Sequence, residues 1–207
     1  MTRDRFTTRA AILDSAAAMI ASHGLAALGV NSLAHAANCD KVLIYRYFGG
    51  LDGVLASLGA ERTLWPRFEI AEDGESIALA DAVHSLLLEE WAALADNALM
   101  REAAAAELSS DANPLGSASA SQRAEHHARL IATLRDKHRI PPYIDLPALI
   151  ELLSAALSLF ALRAAPRPTP PDAPALPPFD ITTPQGWRRI EKILASVTRA
   201  LLSAENG

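Results

Sequence analysis

No stretch of this chain alternates apolar and polar residues at the two-residue period of a half-buried strand. Apolar positions recur at three and four residues instead, and alanine and leucine, both strong helix formers, dominate them. The pattern predicts an all-α fold. A first helix starts at a Thr7 or Thr8 cap and runs to about His23, with Ile12, Ala16, Met19 and Ile20 on one face and Gly24 as the stop. A short second helix covers residues 29–37. Asn38, Cys39 and Asp40 form a tight turn, in which Asn38 tolerates positive φ and Asp40 can cap the next helix. That third short helix, Lys41–Phe48, is broken by Gly49 and Gly50, and a fourth covers residues 51–67.

Further helices are expected over residues 76–95, 97–108, 121–138, 146–164 and 185–204, with residues 109–119 as a loop. Eight of the thirteen prolines lie between Pro166 and Pro184, which excludes helix there. The organisation read from this is an N-terminal three-helix module, residues 1–50, and a C-terminal helical domain, residues 51–207.

Charge divides the chain in the same place. Residues 1–50 set Arg3, Arg5, Arg9, Lys41 and Arg46 against Asp4, Asp14 and Asp40, a net of +2, and the remainder carries −7 of the total −5. The basic part of an acidic chain is thus its first fifty residues. No apolar run reaches the roughly 18–20 uncharged residues of a membrane span. The polar N-terminus has no signal-peptide core, and the single cysteine, Cys39, allows no disulfide framework. The expectation is a cytoplasmic protein without a membrane partner.

The segment "KVLIYRYF" concentrates cations and aromatics. On a helix Ile44, Tyr47 and Phe48 fall on one side and can pack on the two preceding helices. Lys41, Val42, Tyr45 and Arg46 fall on the other, with Leu43 at the margin. That outward mixture suits a DNA major groove: lysine and tyrosine reach phosphates, arginine reads guanine edges, and an apolar group meets a thymine methyl. Two short helices joined by a three- or four-residue turn form a helix-turn-helix. An aromatic-rich short helix is also a common core element, so the spacing alone leaves both readings open.

Residues 8–55 resemble the DNA-binding domain of the TetR family of bacterial transcriptional repressors. The order is the family's: a first helix containing "AILDSAA", the "HG" stop, "VNSLAHAA", and a recognition helix ending "YRYF". The resemblance implies a homodimer on double-stranded DNA, released from a palindromic operator by a small organic ligand. It implies DNA contacts from Lys41, Val42, Leu43, Tyr45 and Arg46, helped by Asn31 and Tyr47. Asn38 stands where the family has a turn glycine, Val42 and Leu43 where it has small residues, and Leu51 where it often has a phosphate-binding lysine. The alternative is a helical ligand- or protein-binding module without operator binding, whose mark would be a disabled recognition helix.

The C-terminal domain offers less. By the resemblance its middle helices hold the ligand, and Trp65 and Trp91 are the expected walls; ordinary core packing is the competing reading. The resemblance also makes the last two helices a dimer interface, with Leu149, Leu153, Ile190, Leu194, Val197 and Leu201 as its residues; an intrachain core is the competing reading, and the two can hold for different faces. His126 and His127 lie about 100° apart on a helix, do not converge on a metal, and are expected on a solvated face. Cys39 is expected to pack in the turn. No G-x-S-x-G, P-loop or G-x-G-x-x-G motif is present. No enzyme activity, metal or cofactor is expected.

Overall fold

A computed structural model of the protein describes residues 2–65, 78–109, 113–164 and 183–202. Among these there are nine α-helices and no strand: α1 Thr2–His23, α2 Val30–Ala36, α3 Lys41–Phe48, α4 Leu51–Glu61, α5 Leu79–Asp96, α6 Ala98–Glu107, α7 Pro114–Lys137, α8 Leu146–Ala164 and α9 Pro184–Leu202. A single 3-10 turn, Leu25–Ala27, follows α1. The all-α expectation holds. The proline-rich stretch lies outside the described residues as far as residue 182.

The described residues form two compact units. The first contains α1 to α4, α6 and α7 as far as Ala124; the second contains α5 as far as Ala95, α7 from Glu125, α8 and α9. In the first unit Ile12, Ala16 and Ile20 of α1, Leu33 of α2, Ile44 of α3 and Val54 and Leu58 of α4 are all fully buried. Helices of seven or eight residues are marginal alone, so this shared core is what holds α2 and α3.

Local chemistry sets the turns. Asn38 has φ of 47°, and Asp40 accepts a hydrogen bond from the Val42 backbone N–H at 2.9 Å. Gly49 ends α3 in the left-handed region at φ 77°, a conformation that favours glycine. A Cβ at Gly53 would lie 1.6 Å from the Phe48 carbonyl oxygen, so only glycine allows α4 to leave α3 so tightly.

Three boundaries differ from expectation by more than a helical turn. α1 begins at Thr2 rather than Thr7 or Thr8. α4 stops at Glu61 rather than near residue 67, because Gln122 of α7 supplies a tertiary cap. Its side-chain oxygen accepts from the backbone N–H groups of Leu64 and Trp65 at 2.8 and 3.3 Å, and its amide donates to the carbonyls of Gly59 and Arg62 at 2.8 and 3.0 Å. α7 starts within the expected loop, at Pro114. Proline is tolerated at the first helical position, and Asn113 caps it by accepting from the Gly116 N–H at 2.9 Å.

Candidate nucleic-acid interface

The burial of Ile44 decides which way α3 faces. With Ile44 fully enclosed, Lys41, Val42, Tyr45 and Arg46 are all exposed, while Leu43 and Tyr47 are half-buried. Val42 is 60% exposed and Tyr45 55%. Two apolar or aromatic side chains left in water beside two cations, on a helix fixed by its neighbours, form a face shaped for a partner. Asn31 is exposed in the first turn of α2, and Ser32 caps that helix by accepting from the Gly29 N–H at 3.1 Å. The structure thus places all seven sequence-chosen positions on α2 and α3, five of them exposed and two at the margin. The N-terminus of α4 carries no side-chain cap, and Asp52 stands in its first turn beside half-buried Leu51.

Sequence reasoning missed two cations beside this face. The Arg5 guanidinium lies over the Tyr47 ring, 5.6 Å from its centroid, and the Arg9 guanidinium over the Phe48 ring at 5.1 Å. The signal was available: Arg5 and Arg9 are four apart, hence on one face of α1.

Cys39 is half-buried in the turn, and its backbone N–H donates to the Ala34 carbonyl at 3.0 Å. Burial and the neighbouring Asp40 push its thiol pKa up, away from the thiolate.

The expected ligand walls fall in different places. Trp65 is buried in the first unit, and its indole N–H donates to Ser119 Oγ at 2.8 Å. Trp91 belongs to the second unit. It lines a half-open cavity of about 220 Å³ with Leu88, Ala92, Leu157, Trp187, Ile190 and Glu191, and its ring centroid is 4.0 Å from that of Trp187. Its indole N–H is buried with no acceptor among the described residues.

The histidines overturn the solvated-face expectation. His126 and His127 are 4% and 2% exposed, because the α7 face that carries them is turned into the second unit. His127 Nδ1 is 2.7 Å from Glu151 of α8, and His127 Nε2 is 3.3 Å from Glu90 of α5. The other Glu90 oxygen accepts from Ser154 Oγ of α8. A neutral imidazole has one N–H and one bare nitrogen, so ionised carboxylates facing both nitrogens favour the doubly protonated ring. Burial works against that charge, and the hydrogen bonds to Glu90 and Glu151 outweigh it, raising the His127 pKa. His126 is lowered, first by burial.

Of the residues expected at an interface, Ile190 and Leu194 are buried in the second unit's own core, Leu149, Leu153 and Val197 are half-buried, and Leu201 is exposed. Leu152 of α8 and Ile193 of α9, 69% and 63% exposed, lie further out. An apolar groove of about 270 Å³ runs between the two helices, lined by Leu153, Phe160, Ile193 and Val197 among others.

A helix-turn-helix with an exposed cationic and aromatic second helix, among described residues that are otherwise mostly helical, is the arrangement of a DNA-binding regulator. Residues 12–58 match the family described as bacterial regulatory proteins, tetR family. The chain is 31% identical over 165 residues to the HTH-type transcriptional repressor SCO4008 of Streptomyces coelicolor, covering 74% of this chain and 78% of that one. A TetR transcriptional regulator from Agrobacterium tumefaciens superposes with a TM-score of 0.62 at 22% identity, covering 94% and 93% of the two chains. The transcriptional regulator FadR from Bacillus subtilis, in complex with stearoyl-CoA, gives a TM-score of 0.54 at 13% identity over 95% and 99%. The chain belongs to the TetR family of transcriptional regulators.

Proposed function

We propose that the protein is a homodimeric repressor that holds a palindromic operator with one recognition helix from each subunit and lets go when a small organic molecule occupies the C-terminal domain. In this reading residues 1–50 bind DNA and residues 51–207 bind the ligand and form the dimer. The observation that carries it is the outward face of α3, with Lys41, Val42, Tyr45 and Arg46 exposed on a helix locked by Ile44. Contacts from Leu43, Tyr47 and Asn31 extend that face.

The dimer reading is supported by α8 and α9. Leu152, Leu159, Ile193 and Leu201 leave apolar surface in water on these two helices, and Ile193 also lines the groove between them. α8 is long and apolar enough to cross a membrane, with a mean hydropathy of 1.7. Glu151 and Ser154 on that helix, bonded to His127 and Glu90, favour a protein partner over lipid. The cavity beside Trp91 and Trp187 is the best-supported ligand site. An apolar cavity of about 150 Å³ holds benzene, so about 220 Å³ suits a molecule of one or two rings rather than a long acyl thioester like that held by the Bacillus FadR.

The test is duplex binding across a salt series. Each phosphate contact releases counterions, so log affinity falls linearly with log salt, and a duplex selected from a random pool should bind far more tightly than a scrambled one. Equal binding of the two sinks the repressor reading. Arg46→Ala refines it: a guanine contact costs about 1–3 kcal/mol at one base position, whereas a phosphate contact lowers affinity evenly and shrinks the salt slope.

A further inference from the structure

The recognition helix ends in two successive aromatics, and α1 meets them with two arginines one helical turn apart. Arg5 sits over Tyr47 at 5.6 Å and Arg9 over Phe48 at 5.1 Å. Arg9 does more than stack. Its fork grips the Glu61 carboxylate at the end of α4 through two nitrogens, one of them at 2.8 Å. The pair shifts both groups toward charge: hydrogen bonding to Glu61 raises the Arg9 pKa, and hydrogen bonding to Arg9 lowers that of Glu61. A reciprocal bridge runs beside it, from Arg62 at the cap of α4 back to Asp14 of α1. One guanidinium therefore touches α1, the C-terminal ring of α3 and the far end of α4.

We propose that Arg5 and Arg9 are positioning residues that set the pitch of the recognition helix through the faces of Tyr47 and Phe48, with Arg9 anchored on Glu61. Ile44 fixes which side of α3 faces the core, but as the one fully buried side chain of an eight-residue helix it leaves the pitch of the C-terminal end to the half-buried rings there. Rings at its last two positions, each held from outside by a cation, supply the missing constraint. Arginine suits the task because its planar fork can bond a carboxylate edge-on while presenting its face to a ring, which an ammonium cannot do. A single bridge of this kind on the surface adds little stability; here a bidentate pair, a second bridge and two ring contacts act on the same three helices. The proposal rests on α3 as the reading helix.

The experiment compares a duplex selected by the wild-type protein with a scrambled duplex, over a salt series, for Arg9→Ala, Arg9→Lys, Arg5→Ala and Arg46→Ala. Positioning predicts that Arg9→Ala lowers the ratio of selected to scrambled binding about tenfold or more, with the salt slope unchanged. Arg9→Lys, which keeps the charge and removes the fork, should move the ratio in the same direction. Arg5→Ala should give a smaller loss, since Arg5 holds the Tyr47 ring without the second grip that Glu61 gives Arg9. If Arg9→Ala does not fold, Arg9→Lys and Phe48→Leu carry the measurement. A ratio unchanged within about twofold, or a salt slope reduced by about one per protomer at an unchanged ratio, overturns the proposal, the latter by making the arginines direct phosphate contacts. Loss in Arg46→Ala with none in Arg9→Ala sinks the clamp alone; no loss in either sinks the reading of α3 with it.

Discussion

The two units treat charge in opposite ways. α3 keeps Lys41 and Arg46 in water on one side of a helix whose other side is core. The second unit takes Glu90 and His127 out of water, 3% and 2% exposed, and gives each the other as partner. An exposed cation costs the fold little and stays available to a phosphate. A buried pair is expensive unless every polar atom is satisfied, and removing one member strands the other. The exposed charges of α3 can therefore change without unfolding the first unit, whereas Glu90 and His127 cannot change singly.

The largest expected effect comes from that contrast. His127→Ala leaves the Glu90 carboxylate buried, with Ser154 as its one remaining donor among the described residues, and should destabilise the second unit by about 3–5 kcal/mol. Urea unfolding at neutral pH measures it. Replacing His127 and Glu90 together by leucine should recover most of the loss, because well-packed apolar residues often substitute for a buried pair at no net cost. Glu151→Gln, at the half-exposed end of the cluster, should cost less than about 1 kcal/mol. If His127→Ala costs no more than Glu151→Gln, the cluster is not the pivot of the second unit.

Legibility differs between the units for the same physical reason. Spacing alone separated Ile44 from Lys41, Val42, Tyr45 and Arg46, because a short helix against a core has one inside and one outside. It found the Asp40 cap and the positive φ at Asn38, since both are local. Tertiary capping was invisible: Gln122 ends α4 from a residue 58 positions away from Leu64. The His126–His127 pair was misjudged because two adjacent polar residues ordinarily mark a solvated face. Their partners, Glu90 and Glu151, are 37 and 24 residues from His127, and no pattern in one sequence joins them. Periodicity also could not say which side of α9 faces inward. The stripe of Ile190, Leu194, Val197 and Leu201 fitted an interface or an intrachain core; Ile190 and Leu194 enter the second unit's own core, while Ile193 is left in water.

That last point separates two substitutions one residue apart. Leu194→Glu buries a carboxylate without a partner and should cost several kcal/mol of stability in the isolated subunit. Ile193→Glu stays in water in the subunit and should leave its unfolding within about 0.5 kcal/mol, yet block association if α8 and α9 meet a second copy. Sedimentation at micromolar concentration reads the second effect directly. The expected outcome is a folded monomer whose operator affinity falls by about a hundredfold or more, since two linked half-sites gain through effective concentration. A dimer that survives Ile193→Glu and Leu152→Glu together places the interface elsewhere.

The smallest expected effect is the most specific to the histidine pair. The two neighbours have pKa values moved in opposite directions from about 6.5: His127 is raised because its hydrogen bonds to Glu90 and Glu151 outweigh burial, and His126 is lowered by burial. For His127 the folded state holds the proton more tightly than the unfolded one. Its contribution is full below about pH 6.5 and is lost as pH rises from there through its raised folded pKa, with a slope of at most about 1.4 kcal/mol per pH unit. For His126 the unfolded state holds the proton more tightly, so stability is full above about pH 6.5 and falls as pH drops toward its lowered folded pKa. The two slopes point away from each other, and the second unit should be most stable near pH 6.5, with a decline on both sides. Glu90 and Glu151 on the neighbouring helices, and Arg129 with its exposed partner Glu125 on α7, are the charges that shape the curve. Chemical denaturation at half-unit steps from pH 5 to 9 traces it. His126→Asn should flatten the acid side alone. His127→Gln should lower stability throughout and flatten the alkaline side alone. An alkaline decline that persists unchanged in His127→Gln assigns that limb to another group and removes the imidazolium from the cluster.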